Sequence, residues 1–278
     1  MTDNPWGLVD PDKQKQVRSI CRLSHWWPVA ESLLEPTLLP ATTLVDISDT
    51  YPGRMYAEFL CEPEYEHVLQ AAANKIEAAG AYPFFLRSDI VSGKHCHPKS
   101  RGPVHDRNEL LETIVNIAEF ASNALWFQDN GMDVWARREI LQPPDFTKGL
   151  TVLRGLPLVP EWRLIYRNNV YSSESGFYWP SEVYDSIKCD GVALPHDEVE
   201  TVIQNLMTHP PLNWMDIEST RVIKALGGDW SIDWMLTDRG FVMIDMALAN
   251  ESWIPNPVNP PPPAPEIDYK SLLEFPDE

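Results

Sequence analysis

The stretch "GGDWSIDWMLTDRGFVMIDMALA", residues 227–249, decides the fold. Two apolar runs flank a Thr-Asp-Arg-Gly turn, which is the pattern of a β-hairpin. One carboxylate interrupts each run, Asp233 in "WSIDW" and Asp245 in "VMIDMA". A carboxylate set among Ile, Val and Met is costly to bury unless it is paired or bound to a metal. The turn lies at similar sequence distances from both, so the two aspartates are expected nearly opposite one another. Like charges side by side repel. Either a divalent cation compensates them or both face solvent from a one-faced sheet. Oxygen ligands of this kind suit Mg2+, which usually shares its shell with substrate phosphates.

Upstream, "FLRSDIVSGKHCH" (85–97) runs from an apolar strand into a polar loop. Arg87 at the strand end is able to make charge-assisted contacts to phosphate. Ser92 and Gly93 allow a tight turn whose N–H groups point at an anion, and Lys94 moves with that loop. The GxxxxGK[ST] phosphate loop is missing, so the same residues also read as an ordinary surface loop. His95, Cys96 and His97 alternate along an extended chain, so only His95 and His97 face one side. With His105 the nearest further candidate and no second Cys/His cluster, a structural zinc site is not expected. "RREIL" (137–141) precedes a chain break at "QPPDFTKG", and in "EWR" (161–163) Glu161 and Arg163 share a strand face, ready to pair or to meet a ligand.

The remaining elements mix without a regular βαβ alternation, which points to an α+β fold. Strands are expected at 41–47, 82–88 and 133–141, with a hairpin over 161–175 turning at Arg167–Asn168–Asn169. Helices are expected near "WWPVAESLLEP" and over 62–80, 107–124, 196–209 and 216–226, the third capped by Asp106 or Asn108. After Trp253 a proline-rich stretch reads as extended and ends in "YKSLLEF", a segment suited to docking on the body or on a protein partner.

Composition narrows the function. The 278 residues carry 22 Lys and Arg against 41 Asp and Glu, a net charge of −19, with no basic run. That balance argues against a nucleic-acid backbone as the ligand. A small anion remains open, since one arginine and one lysine in a cleft suffice for phosphate. No apolar run approaches the ~20 residues of a membrane helix. The first residues lack a signal pattern, so a cytoplasmic protein is expected. The four cysteines are scattered without a CxxC pair, which argues against a disulfide framework.

In their order along the chain, these segments resemble the ATP-grasp superfamily over roughly residues 37–253. The form FLR…SGKH, with arginine where many members have lysine, is most similar to a divergent arginine/lysine clade of phages and prokaryotes. The resemblance implies two interlocked α+β subdomains with the nucleotide between them. The expected division is an N-terminal segment (1–36), an N-terminal subdomain with the phosphate-covering loop (37–135), a C-terminal subdomain with the metal-binding hairpin (136–254) and a tail (255–278). It implies ATP and Mg2+ as cofactors. Arg87 would touch the α/β-phosphates, and Ser92, Gly93 and Lys94 would cover the β/γ-phosphates. Glu139, Ile140 and Leu141 would receive the adenine, and Glu161 would lie near the ribose. Arg163, Arg138 and Lys94 would carry the chemistry at the transferred phosphoryl group. Asp233 and Asp245 would bind Mg2+.

Two departures from the family pattern stand out. Ala247 occupies the place of the usual last-strand Asn, which leaves Asn250, Glu251 or Ser252 as substitutes, and Ser231 stands where many ligases have arginine. The activity implied is an ATP-dependent carboxylate–amine ligase that forms an amide through an acyl-phosphate, with small-molecule carboxylate and amine substrates. The alternatives are a phosphotransferase acting on a hydroxyl, and a non-catalytic nucleotide-binding or assembly protein.

Overall fold

The computed structural model describes residues 22–50, 66–91, 102–123, 133–153, 155–208, 210–250 and 252–255. They form two units, each a sheet backed by helices around its own apolar core. The chain enters through helix α1 (Leu23–Leu33), then builds the first unit from β1 (Thr42–Asp46), helix α2 (Glu66–Ala78), β2 (Phe85–Ser88), helix α3 (Arg107–Asn123) and β3 (Val134–Arg138). Its three strands pair antiparallel in the order β1-β3-β2. The helical spacing of Val68, Leu69, Ala72 and Ile76 puts all four on one buried face, against Leu110, Ile114 and Ile117 of α3 and Leu86 and Trp135 of the sheet. Of the two candidate caps for α3, Asp106 is the one used. Its Oδ1 accepts from the Glu109 N–H at 3.0 Å, and the Glu109 carboxylate accepts from the His105 N–H at 2.7 Å.

The second unit follows an irregular segment, residues 139–149, that carries the chain out of β3. The boundary expected at 135/136 falls inside that strand. Its strands are β4 (Leu150–Val152), β5 (Leu156–Pro157), β6 (Glu161–Arg167), β7 (Val170–Tyr171), β8 (Gly176–Phe177), β9 (Lys188–Cys189) and β10 (Val192–Ala193). Helices α4 (His196–Leu206) and α5 (Leu212–Leu226) then precede the long hairpin β11 (Trp230–Thr237) and β12 (Gly240–Leu248). The main sheet runs β12-β11-β6-β7 with β8 also on β6, and a small sheet runs β10-β9-β4-β5. The turn between β6 and β7 falls at Asn168 and Asn169, whose φ values of 50° and 63° are those asparagine tolerates best among non-glycine residues.

One face of the main sheet is apolar. Trp162, Leu164, Tyr166, Trp230, Ile232 and Trp234 lie there in one core with Val199 and Ile203 of α4 and Met215, Val222 and Ile223 of α5. Helix α1 joins this second core through Trp26, Trp27 and Ala30, although it precedes the first unit in sequence. Its start is held by a residue of that first unit. Asp89 accepts from the Ser24 N–H at 2.7 Å and from the Ser24 hydroxyl at 2.9 Å, so a carboxylate from just after β2 caps the helix. The two units are interlocked in this way, in an α+β fold of antiparallel sheets. No helix among the described residues is long and apolar enough to cross a membrane.

Trp234 is fully buried, meets Trp214 edge-on at 5.3 Å and donates its indole N–H to Ser219 at 2.9 Å. Replacing Trp234 by Ala should cost about 3–5 kcal/mol in urea unfolding, read as a lower midpoint with an unchanged slope.

Candidate functional site

The polar faces of the two sheets meet. On β3 the neighbouring arginines separate to opposite sides, as strand geometry requires. Arg137 turns to the helices, donating to the carbonyls of Ile76 at 2.7 Å and Gly80 at 2.8 Å with its guanidinium 3.7 Å from the Phe84 ring centre. That arginine closes the end of α2. Arg138 turns the other way, sharing its face with Arg87, whose strand partner is Ala136. Arg87 donates to Asp245 Oδ1 at 2.7 Å, and Arg138 donates to the carbonyl of Ile244 at 2.6 Å and to the Thr42 hydroxyl at 3.3 Å. The Arg138 guanidinium also lies 4.8 Å from the centre of the Trp27 ring.

A register shift in the hairpin creates this arrangement. From the turn, Thr237 pairs with Gly240 and the ladder runs regularly to Trp234 and Met243. Continued without interruption it would set Asp233 against Ile244 and turn Asp245 to the opposite face. Instead Ile244 is an extra residue on β12, and Asp233 pairs with Asp245. Both carboxylates now project from the polar face, directly opposite, as the hairpin reading expected. The carbonyl of the extra residue is the one that receives Arg138.

Each aspartate is compensated by an arginine. Arg163 pairs with Asp233 across β6 and β11 and grips it with two bonds, Nε to Oδ1 and Nη2 to Oδ2, both 2.7 Å. Both residues are buried, at 8% and 2% exposure. Burial works against the Arg163 charge, but Asp233 outweighs it and raises the guanidinium above its ordinary pKa. Arg163 Nη1 donates to the carbonyl of Trp253 at 3.1 Å, and Tyr178 lies 4.8 Å beneath the guanidinium. Glu161 is buried on the same face of β6 and adds to the field that keeps Arg163 charged. Arg163 thus takes Asp233 as its bidentate partner, with Glu161 beside it on the strand face acting through its charge.

The cationic side of the cleft is in surplus. Arg87 and Arg138 stand together against the single carboxylate of Asp245, and burial with the Arg87 charge pushes Arg138 down to about 9. Arg138 is 7% exposed, yet its Nη2 has no hydrogen-bond partner among the described residues. A buried guanidinium nitrogen without an acceptor calls for an anion. A phosphate oxygen is one acceptor of that kind.

A magnesium ion fits less evenly. Both oxygens of Asp233 are held by Arg163, and a cation there would strand a buried guanidinium. Asp245 meets Arg87 through Oδ1 and its side chain is 20% exposed, so it suits the role of one carboxylate completed by phosphate oxygens. Among the described residues no three His, Cys, Asp or Glu side chains are grouped to hold a metal. Asn250 accepts from Arg167 beyond the end of β12, and the Ser252 hydroxyl bonds the Ser231 hydroxyl at 2.6 Å. Ser92, Gly93, Lys94, His95, Cys96, His97 and Glu251 lie outside the described residues.

Glu139 follows β3 and is tied down. Its N–H donates to the Ala41 carbonyl at 2.8 Å, its Oε2 accepts from the Ala41 N–H at 3.0 Å, and its Oε1 accepts from Arg239 at 3.1 Å. Arg239, in the hairpin turn, also reaches the Leu39 carbonyl at 2.9 Å. Ile140 and Leu141 continue from Glu139 with partly exposed side chains. Trp27, Tyr178 and the carbonyls of Ile244 and Trp253 complete the site and were not foreseen. Only the aromatic pair in "HWW" offered a sequence signal for any of them.

No protein-family model matches the chain, and no curated protein matches it. Solved structures do. Cdc123 from Schizosaccharomyces pombe is similar at 11% identity with a TM-score of 0.48, covering 87% of each chain. A RimK domain protein ATP-grasp from Sphaerobacter thermophilus is similar at 14% identity and TM-score 0.38, over 84% of this chain and 60% of that one. D-alanine–D-alanine ligase from Bacillus anthracis, complexed with ATP, is similar at 11% and 0.39, over 83% and 55%. The ATP-grasp resemblance read from the sequence thus has ATP-grasp proteins among its solved neighbours. At these identities and scores, no residue role or substrate passes from them to this chain.

Two measurements check the geometry. Asp233→Ala should cost about 3–5 kcal/mol in urea unfolding, because it leaves Arg163 buried and unpaired. Inorganic phosphate should raise the melting temperature by relieving the buried Arg138 charge. That gain should be present at neutral pH, fade as pH rises through about 9 where Arg138 loses its proton in the free protein, and vanish in Arg138→Met.

Proposed function

We propose that this chain is an ATP-grasp ligase that binds MgATP between its two sheets and joins a carboxylate to an amine. The single observation behind this reading is the buried, unsatisfied Nη2 of Arg138 beside Arg87. Two arginines and one carboxylate in a cleft between sheets make a site for a polyanion. Ligases are among the solved structures to which the chain is similar.

In this reading Arg87 and Arg138 hold the phosphate chain, and the loop Ser92-Gly93-Lys94 covers it. Since the Glu139 carboxylate is engaged with Ala41 and Arg239, the adenine is left to the backbone of Ile140 and Leu141. Glu161 faces the ribose. Asp245, rather than Asp233, is the residue to hold magnesium, and the ion when bound neutralises phosphate charge. Asp233 has a different part, which is to fix the Arg163 guanidinium so that Nη1 stays aimed at the polar face. The phosphoryl group moves from ATP to the carboxylate, the amine displaces it, a C–N bond forms, and ADP and phosphate leave.

A second reading, nucleotide binding without turnover, draws on Arg163 itself. Its three nitrogens are all hydrogen-bonded within the chain, to Asp233 and to the Trp253 carbonyl.

Incubation with MgATP and pooled amino acids or polyamines, followed by mass analysis, separates the possibilities. The ligase yields ADP, phosphate and a condensed product, whereas a phosphotransferase yields a phosphorylated acceptor. Thermal stabilisation by MgATP with no ADP formed supports the second reading. Asp245→Asn should abolish ADP formation while leaving the unfolding transition in place. Arg87→Met should weaken ATP binding about tenfold or more, as expected for a lost charged hydrogen bond.

A further inference from the structure

Beyond β12 the chain doubles back across the polar face. The Ser252 hydroxyl donates to the Leu248 carbonyl at 2.9 Å and shares a 2.6 Å bond with the Ser231 hydroxyl. The next residue places its carbonyl on Arg163 Nη1 at 3.1 Å, and the Trp253 ring meets Tyr178 edge-on at 6.1 Å. Tyr178 in turn lies under the Arg163 guanidinium. Two consecutive residues are therefore fastened here: Ser252 to the Ser231 hydroxyl, which also reaches the Ala247 carbonyl at 3.3 Å, and Trp253 to Arg163 Nη1, a donor that otherwise points out of the sheet.

Trp253 itself is 44% exposed, so this contact is not part of the apolar core. Segments held by a few polar bonds and one exposed ring open at low cost compared with core elements. The donors beneath, by contrast, are rigid, because Asp233 and the ladder fix them.

We propose that residues 252–255 form a self-inhibiting strap, clasped by Ser252 on Ser231, in which the Trp253 carbonyl stands in for a carboxylate-bearing ligand on Arg163. The inference rests on the reading of this face as a substrate site. A carboxylate binds Arg163 through a charged hydrogen bond, which a neutral peptide carbonyl does not match. Competition with the strap lowers the apparent affinity by the fraction of molecules in which the strap is open.

Acetate is the probe, followed by thermal shift and by hydrogen exchange of the segment 248–255. For the wild-type protein, acetate should deprotect residues 252–255. In Trp253→Ala the apparent acetate affinity should rise about tenfold, because the strap loses its ring contact with Tyr178. Equal acetate affinity in the two proteins, or unchanged protection of 252–255 on adding acetate, would overturn the proposal. Should Trp253→Ala fail to fold, Ser252→Ala, which removes only the hydroxyl contact, serves with the same expected direction. Loss of ATP binding in both proteins, with the acetate response intact, would count against the nucleotide reading alone and leave the strap standing.

Discussion

One extra residue in a β-hairpin governs the polar half of this molecule. Without Ile244 as an insertion on β12, strand alternation would send Asp245 to the face opposite Asp233. Arg87 would then lose its partner, and an aspartate would enter the core among Met243, Met246 and Trp234, where a carboxylate has nothing to bond. The same shift frees a strand carbonyl to take Arg138. Bulges re-aim side chains, and here one re-aims a carboxylate and supplies a backbone acceptor at once.

The cleft is built from charges that are unequally satisfied. Arg163 and Asp233 form a closed pair with two parallel bonds, a geometry in which each buried charge answers the other. Arg87 and Arg138 do not reach that balance, because among their hydrogen-bond partners in the described residues Asp245 is the one carboxylate, the others being neutral carbonyls and the Thr42 hydroxyl. Burial first, and then the neighbouring Arg87 charge, lower the proton affinity of Arg138. One side of the site is therefore complete, while on the other a buried guanidinium nitrogen lacks an acceptor among the described residues.

The joining of the two units follows the same economy of a few polar bonds. Asp89 caps α1, Arg239 clasps Glu139 and Leu39, and Arg87 spans from β2 to β12. Helix α1 buries Trp26 and Trp27 in the second core while its cap comes from the first unit, so neither unit is complete without the other.

Much of this was legible in the residues themselves. Local rules placed helices over 62–80 and 107–124, observed at 66–78 and 107–123, a turn at 167–169 and the hairpin around Asp238–Arg239, because periodicity and turn chemistry act over a few neighbours. The sequence also marked Asp233 and Asp245 as carboxylates in apolar strands that had to find compensation, and Arg87 as a strand-end contact for phosphate. It did not say which compensation. A divalent cation between the aspartates satisfied the local pattern as well as arginines did, since nothing local ties Arg163 to Asp233, 70 positions apart, or Arg87 to Asp245, 158 apart. The insertion at Ile244 was hidden for a related reason: a register shift is a property of two strands packed on a third, and no single strand records it. What the sequence determined alone was the set of elements and the residues that could not stay unpaired. Their partners were decided by tertiary structure, because only the packing of two sheets face to face sets which charges share a space too dry to leave any of them alone.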